Sequence, residues 1–297
     1  PVMKLLEGIT KKLNAEYRKY KKEEDAYFFR ITTEIGSKKE LAEAFMTARS
    51  AVNLRSISLL SGRRGLQSGD SLTSSLLDNV NFHHPLELGA MTPDVSFWNS
   101  LSTPILKKFD KEYYNQHYNV SVSQIDSRAS EPILCFNFEK KENLPPVTLL
   151  TGKLYVDAKT LKLLRFEGKI PSLGMQVTNQ RVDGLTIVDL QVIADYTHED
   201  GYAKVSNIST TVFNEGFNCH ALLYRMDTLS IATKGKKKVK ENLLKTIDKV
   251  GDDSPLWVNP NIVLRTGKEE WIAYKQKKKT KTIQSDSIPK DMKPMME

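Results

Sequence analysis

Residues 185–223 read LTIVDLQVIADYTHEDGYAKVSNISTTVFNEGFNCHALL, and this stretch decides the fold. Leu185–Tyr196 and Tyr202–Phe213 alternate apolar and polar residues, and a third run, Cys219–Ala232, follows. A period of two is what a half-buried strand requires, and the β-branched and aromatic content agrees with it. Between the runs stand His198-Glu199-Asp200-Gly201 and Asn214-Glu215-Gly216, turn residues in links too short for a parallel crossover. Strands joined in this way are antiparallel neighbours.

The same pattern extends outward. Upstream, Tyr113–Ile125, Ile133–Phe138, Val147–Val156, Leu161–Gly168 and Met175–Arg181 read as strands, linked by turns such as Asp157-Ala158-Lys159-Thr160 and Val182-Asp183-Gly184. An opening meander is expected over Tyr27–Ile35, Glu40–Arg49 and Leu54–Leu60. In residues 1–22, Val2, Leu5, Leu6, Ile9, Leu13 and Tyr17 recur at steps of three and four, which predicts an amphipathic helix closing one side of the sheet. The expected fold is α+β and mainly antiparallel: a large curved sheet or open half-barrel, with an N-terminal helix and a helical insertion.

That insertion is placed at 62–110, where Gly62, Gly65 and Gly69 lead into a serine-rich run, a helix capped by Asp70 or Ser71, and Thr92-Pro93 at a second helix start. Lys236–Val250 reads as a basic helix. The expected organisation is one β-rich domain over 1–274 and a basic, aperiodic tail over 275–297 with the composition of a disordered segment.

Composition sets the outer bounds. The 297 residues are 39% hydrophobic and 27% charged, ordinary for a folded domain with a sizeable core. No window approaches the ~18 consecutive apolar residues of a membrane-spanning helix. The chain begins at Pro1, which suggests a trimmed or processed polypeptide, so the lack of a signal sequence says nothing of compartment. Lys234, Lys236, Lys237, Lys238, Lys240, Lys275, Lys277, Lys278, Lys279 and Lys281 are ten positive charges against a net of +8, so the rest is close to neutral. Cys219 alternates in phase with Phe217, Ala221 and Leu223, and Cys135 runs out of phase with Leu134, Phe136 and Phe138; both read as free thiols in or beside the sheet.

Two segments carry a family resemblance. Thr151-Gly152-Lys153-Leu154-Tyr155-Val156-Asp157, followed by Thr160, Leu161 and Arg165-Phe166-Glu167-Gly168, resembles a hairpin of Gram-negative envelope proteins with lipoprotein-carrier-like folds, half-open barrels lidded by helices. Leu256–Glu269, together with Glu43-Ala44-Phe45 and Ser58–Gly62, resembles the C-terminal domain of envelope proteins described as carboxypeptidase-like regulatory domain-containing. The resemblance implies an envelope location, periplasmic or outer-membrane associated, and a binding or scaffolding role. It assigns no catalytic residue.

No nucleophile elbow, Walker loop, dinucleotide fingerprint or H-E-x-x-H spacing occurs, so no catalytic residue, metal site or cofactor is expected. The acidic and histidine-rich Asp195–Asp200 segment falls at a hairpin tip, where turn chemistry explains it. Arg63 and Arg64, between Gly62 and Gly65, suit an anion but more commonly belong to a solvated turn. Phe97, Trp98, Tyr113 and Tyr114 are candidates for a ligand cleft, although aromatics in such elements are more often core. Lys236, Lys237, Lys238 and Lys240 are candidates for facing anions or lipid headgroups at an anionic membrane surface.

Three classes of function follow. The favoured one is a non-catalytic envelope module that holds an apolar ligand or docks a partner protein. The second is a hydrolase using Asp70, Asp78, His83, His84 and Asp94 in the insertion. Nucleic-acid binding through the lysine clusters ranks last, because charge runs without a recognition module are weak evidence.

Overall fold

In the computed structural model, described for residues 1–18, 24–36, 38–50, 54–67, 111–125, 131–144, 149–179, 182–226, 236–239, 243–252, 254–258, 272–275 and 282–283, hydrophobic alternation has become one open antiparallel sheet. Helix α1 (Val2–Arg18) precedes strands β1 (Asp25–Ile35), β2 (Lys38–Ser50) and β3 (Leu54–Gln67). A short helix α2 (Lys111–His117) then leads into β4 (Tyr118–Ile125), β5 (Ile133–Lys140), β6 (Thr151–Asp157), β7 (Leu163–Asn179), β8 (Val182–Glu199), β9 (Tyr202–Asn214) and β10 (Phe217–Arg225). The two-residue β11 (Lys237–Lys238), helix α3 (Leu243–Ile247), a 3-10 turn (Pro255–Val258), β12 (Ile272–Lys275) and β13 (Thr282–Ile283) complete the described elements.

The strand order is β13-β12-β3-β2-β1-β10-β9-β8-β7-β6-β5-β4, with β11 also on β3. Two meanders, β1–β3 and β4–β10, are therefore joined by one long-range pairing, β1 against β10, in the register Phe29↔Leu223, Ile31↔Ala221 and Thr33↔Cys219. The mainly antiparallel α+β reading is confirmed.

Because paired residues share a face, the register divides the sheet cleanly. The inner face carries Tyr27, Phe29 and Ile31 of β1, Ala42, Ala44 and Met46 of β2, Phe136 and Phe138 of β5, Phe166 and Ile170 of β7, Leu190, Val192 and Ala194 of β8, and Cys219, Ala221 and Leu223 of β10, all in the main core. Cys135 lies on the other face, buried opposite Tyr155, as its phase predicts, and both cysteines are free.

Several local expectations need correction. Tyr113–His117 is not the start of a strand but most of α2: the His117 ring stacks on Tyr113 at 4.4 Å, and Tyr114 and Tyr118 turn together onto Phe138. That spacing of four satisfies the aromatics on a helical turn despite their strand propensity. The described parts of the two expected strands Leu161–Gly168 and Met175–Arg181 run together in the single strand β7, in which a bulge between Ile170 and Leu173 absorbs Pro171 and places Ser172 at φ 55°. Gly62–Gly65 are not the start of the insertion, because β3 continues through Gln67. Lys236–Val250 is not one helix, since Lys237–Lys238 pair with Leu59 and Ser58 and, among its described residues, only Leu243–Ile247 is helical. Thr282–Ile283, within the segment of disordered composition, pair with β12.

Candidate functional site

Of the two apolar clusters among the described residues the inner face carries the larger, and its covering elements define the candidate site. Helix α1 buries Leu6, Ile9 and Leu13 on it at 0–2% exposure, each contributing ~1.5–3 kcal/mol as area removed from water. Seventeen residues make a helix of ~25 Å. That length lets α1 reach from β9 to β4, both of which it contacts. The turn after β6 also meets it: Leu161, at φ 54°, lies where a Cβ on Gly8 would stand 3.9 Å from its Cδ1, and Lys12 donates to the Thr160 carbonyl. Gly8, a weak helix former, is thus the point at which this turn approaches α1.

That turn is built by one carboxylate. Asp157 Oδ1 accepts from the Lys159 amide (3.1 Å), the Thr160 amide (2.5 Å) and the Thr160 hydroxyl (2.6 Å). These bonds, led by the Thr160 hydroxyl, hold the Asp157 carboxyl at about 2. The D-x-x-T spacing of the hairpin is therefore a structural cap.

Helix α3 covers the other end of the inner face, with Leu243, Ile247 and Val250 buried. It needs small residues beneath it: a Cβ on Gly62 would stand 2.9 Å from Val250 Cγ2 and 3.1 Å from Ile247 Cγ2. Beside it, Arg64 (2% exposed) bridges Glu40 Oε1 and Asp248 Oδ2, both at 2.7 Å. Under α1 the face is buried by the chain's own side chains.

The outer face holds a second, smaller core of Phe28, Phe45, Met226 and Trp257. Glu43, fully buried on that face, accepts from Arg30 Nε at 2.9 Å and from Arg63 Nε at 2.8 Å. The Arg63 guanidinium lies 4.0 Å from the centre of the Trp257 ring. Neither arginine of the Arg63–Arg64 pair occupies a solvated turn. Sequence reasoning missed this network and Trp257, although a lone acid in the apolar run Leu41–Met46 is the signal that reveals it: a buried carboxylate requires a cation.

The other candidates are dispersed. Tyr114 is buried and Tyr113 partly so, in a cluster with Tyr118 and Phe138 where Tyr118 Oη donates to the Leu150 carbonyl at 3.0 Å. Burial raises the hydroxyls of Tyr113 and Tyr114 above the usual phenol range. Lys236 pairs with Glu24 at 2.8 Å, and Lys237 and Lys238 are exposed on β11. Phe97, Trp98 and Lys240 lie outside the described residues, as do Asp70, Asp78, His83, His84 and Asp94. At the β8–β9 hairpin, His198 Nε2 lies 2.6 Å from the Leu163 carbonyl, Asp195 pairs with Arg165, and Glu199 with Arg225. Among the described residues no group of three or more His, Cys, Asp or Glu is placed to hold a metal ion. No described helix is long and apolar enough to cross a membrane.

No protein-family model matches the chain, and no curated protein matches it by sequence. Solved structures with which it aligns include a LolA superfamily protein from Nitrosomonas europaea, at 10% identity over 81% of this chain and 96% of the other, with a TM-score of 0.30. A putative outer membrane lipoprotein-sorting protein domain from Vibrio parahaemolyticus aligns at 8% identity over 82% and 97%, with a TM-score of 0.27. A complex of MucA and MucB from Pseudomonas aeruginosa provides a third, at 6% identity over 79% and 100%, with a TM-score of 0.21. The carboxypeptidase-like part of the sequence resemblance finds no support among these.

Proposed function

We propose that this chain is a non-catalytic binding module of the bacterial cell envelope, whose working surface is the inner face of the sheet. The observation that carries the reading is the form of the cover. A continuous apolar face is closed by α1 through three buried side chains, Leu6, Ile9 and Leu13, flanked by the partly buried Val2, Met3 and Leu5, while Lys4, Glu7 and Lys11 of the same helix carry charge. Lifting α1 exposes Tyr118, Phe136, Leu154 and their neighbours as one apolar surface suited to an acyl chain or to an apolar segment of a partner. The capped hairpin Thr151–Gly168, formed as the envelope-protein resemblance implies, supports the compartment. Lys237 and Lys238 belong to the same proposal as positive charges presented to anionic headgroups.

The test uses N-phenyl-naphthylamine, which brightens in apolar surroundings. The expected result is saturable binding, strengthened in Ile9→Ala, where the α1 cover is weakened by ~2–5 kcal/mol while the sheet stays folded. If the probe binds to neither protein, the apolar-ligand reading fails and only partner docking is left.

A further inference from the structure

Ser61, Gly62, Arg63 and Arg64 are consecutive in β3, and each holds a different part of one segment. That segment begins on the inner face at α3 and ends on the outer face at Trp257. On the inner face Gly62 makes room for Ile247 and Val250, and Arg64 binds Asp248. At the crossing, the Gly251 carbonyl accepts from the Gly62 amide at 3.1 Å and from the Ser61 hydroxyl at 2.7 Å. On the outer face the Ser61 hydroxyl accepts from Trp257 Nε1 at 2.8 Å, and Arg63 covers the indole ring. The crossing passes the edge of β3 between β11, paired at Ser58–Leu59, and β12, paired at Gly65–Gln67.

We propose that Leu243–Val258 is a clasp that couples the two faces: displacement of α3 on the inner face withdraws Trp257 from the outer one. Ser61 is the coupling group, because a single hydroxyl donates to the crossing carbonyl and accepts from the indole. When Gly251 moves, that hydroxyl loses its acceptor and the indole loses a fixed partner, in a site where Trp257 is only 9% exposed. Gly251 and Trp257 lie six positions apart and meet on the same Ser61 hydroxyl, at 2.7 Å and 2.8 Å. The trigger, an apolar occupant of the inner face, rests on the function proposed above; the mechanical coupling does not.

The experiment follows Trp257 in a Trp98→Phe, Trp271→Phe background, where it is the remaining tryptophan. Gly62→Ala pushes on Ile247 and Val250, and Asp248→Ala removes one partner of Arg64 at a half-exposed position. Both are expected to red-shift Trp257 emission and raise its acrylamide quenching constant several-fold, with far-UV circular dichroism unchanged. Should Gly62→Ala fail to fold, Asp248→Ala carries the test. Unchanged quenching in the folded variants overturns the clasp. Saturating dodecanoate is expected to produce the same change in the parent. Binding of dodecanoate without a Trp257 response removes ligand coupling and leaves the proposed function standing, whereas absence of binding counts against that function and leaves the clasp to the variants.

Discussion

Thr210 is wholly buried on the inner face, between Ala221 and Val192, and its hydroxyl has no partner among the described residues. An unsatisfied hydroxyl in an apolar setting costs ~1–3 kcal/mol, and valine has its shape without the oxygen. Thr210→Val is therefore expected to stabilise the protein by ~1 kcal/mol, seen as a higher urea midpoint at unchanged slope. Glu43 gives the opposite case. It joins Arg30 and Arg63 at full burial, so Glu43→Ala leaves two guanidinium groups without their shared acceptor. A loss of ~3–5 kcal/mol is expected in the same urea titration, as for other broken buried pairs. A loss under 1 kcal/mol would mean that the arginines find other acceptors.

Two carboxylates set the acid response of their elements. Asp157 is held at about 2 by the Thr160 hydroxyl, and Glu199 at about 2 by Arg225, with Lys204 adding to it. Both lie below their unfolded values of ~3.9 and ~4.3. The unfolded chain binds more protons in that interval, so their stabilisation is complete above pH ~4.5 and is lost as pH falls toward 2. Stability measured between pH 5 and 2 is expected to decline more gently in Asp157→Asn than in the parent. An identical slope would show that the Asp157 carboxyl binds protons alike in the folded and unfolded chain. The β6–β7 ladder makes a sharper demand at Gly152, where a Cβ would stand 1.9 Å from the Glu167 carbonyl oxygen. Gly152→Ala must part the two strands and is expected to cost more than the ~1–3 kcal/mol of ordinary overpacking, read as a fall in thermal midpoint.

At the scale of the molecule, the two described meanders of the sheet are joined through one distant pairing. Phe29 meets Leu223 and Ile31 meets Ala221 across nearly the whole described sheet sequence, and among the described residues only this ladder joins the two meanders. Contacts so far apart require costly loop closure before they return stability, which slows folding into the millisecond-to-second range or beyond. Stopped-flow refolding is expected to be slow, and Ala221→Gly is expected to slow it further if the β1–β10 ladder forms in the transition state. Acceleration of unfolding alone would place that ladder after the barrier.

How much of this was legible follows from the range of each interaction. Strands such as Ile133–Phe138 and Tyr202–Phe213, the helix at residues 1–18 and the Asp157 turn are written in patterns a few residues long, because period, propensity and capping act locally. The antiparallel class follows too, since links such as Asp200-Gly201 permit nothing else. Three features did not follow. Tyr113–His117 has strand composition yet coils against Phe138; Arg63–Arg64 resembles a solvated turn yet faces Glu43 and Glu40; Trp257 resembles a turn residue yet fills a slot on Phe45. Each is decided by a partner 20 to 212 positions away, as the Arg63–Glu43 and Trp257–Phe45 contacts span. By itself the sequence determined a sheet with one apolar face and a helix to cover it. Which edges meet, which charges are buried and how the α3 segment crosses from one face to the other were decided only by tertiary structure, because burial and pairing belong to the folded surface rather than to the residue.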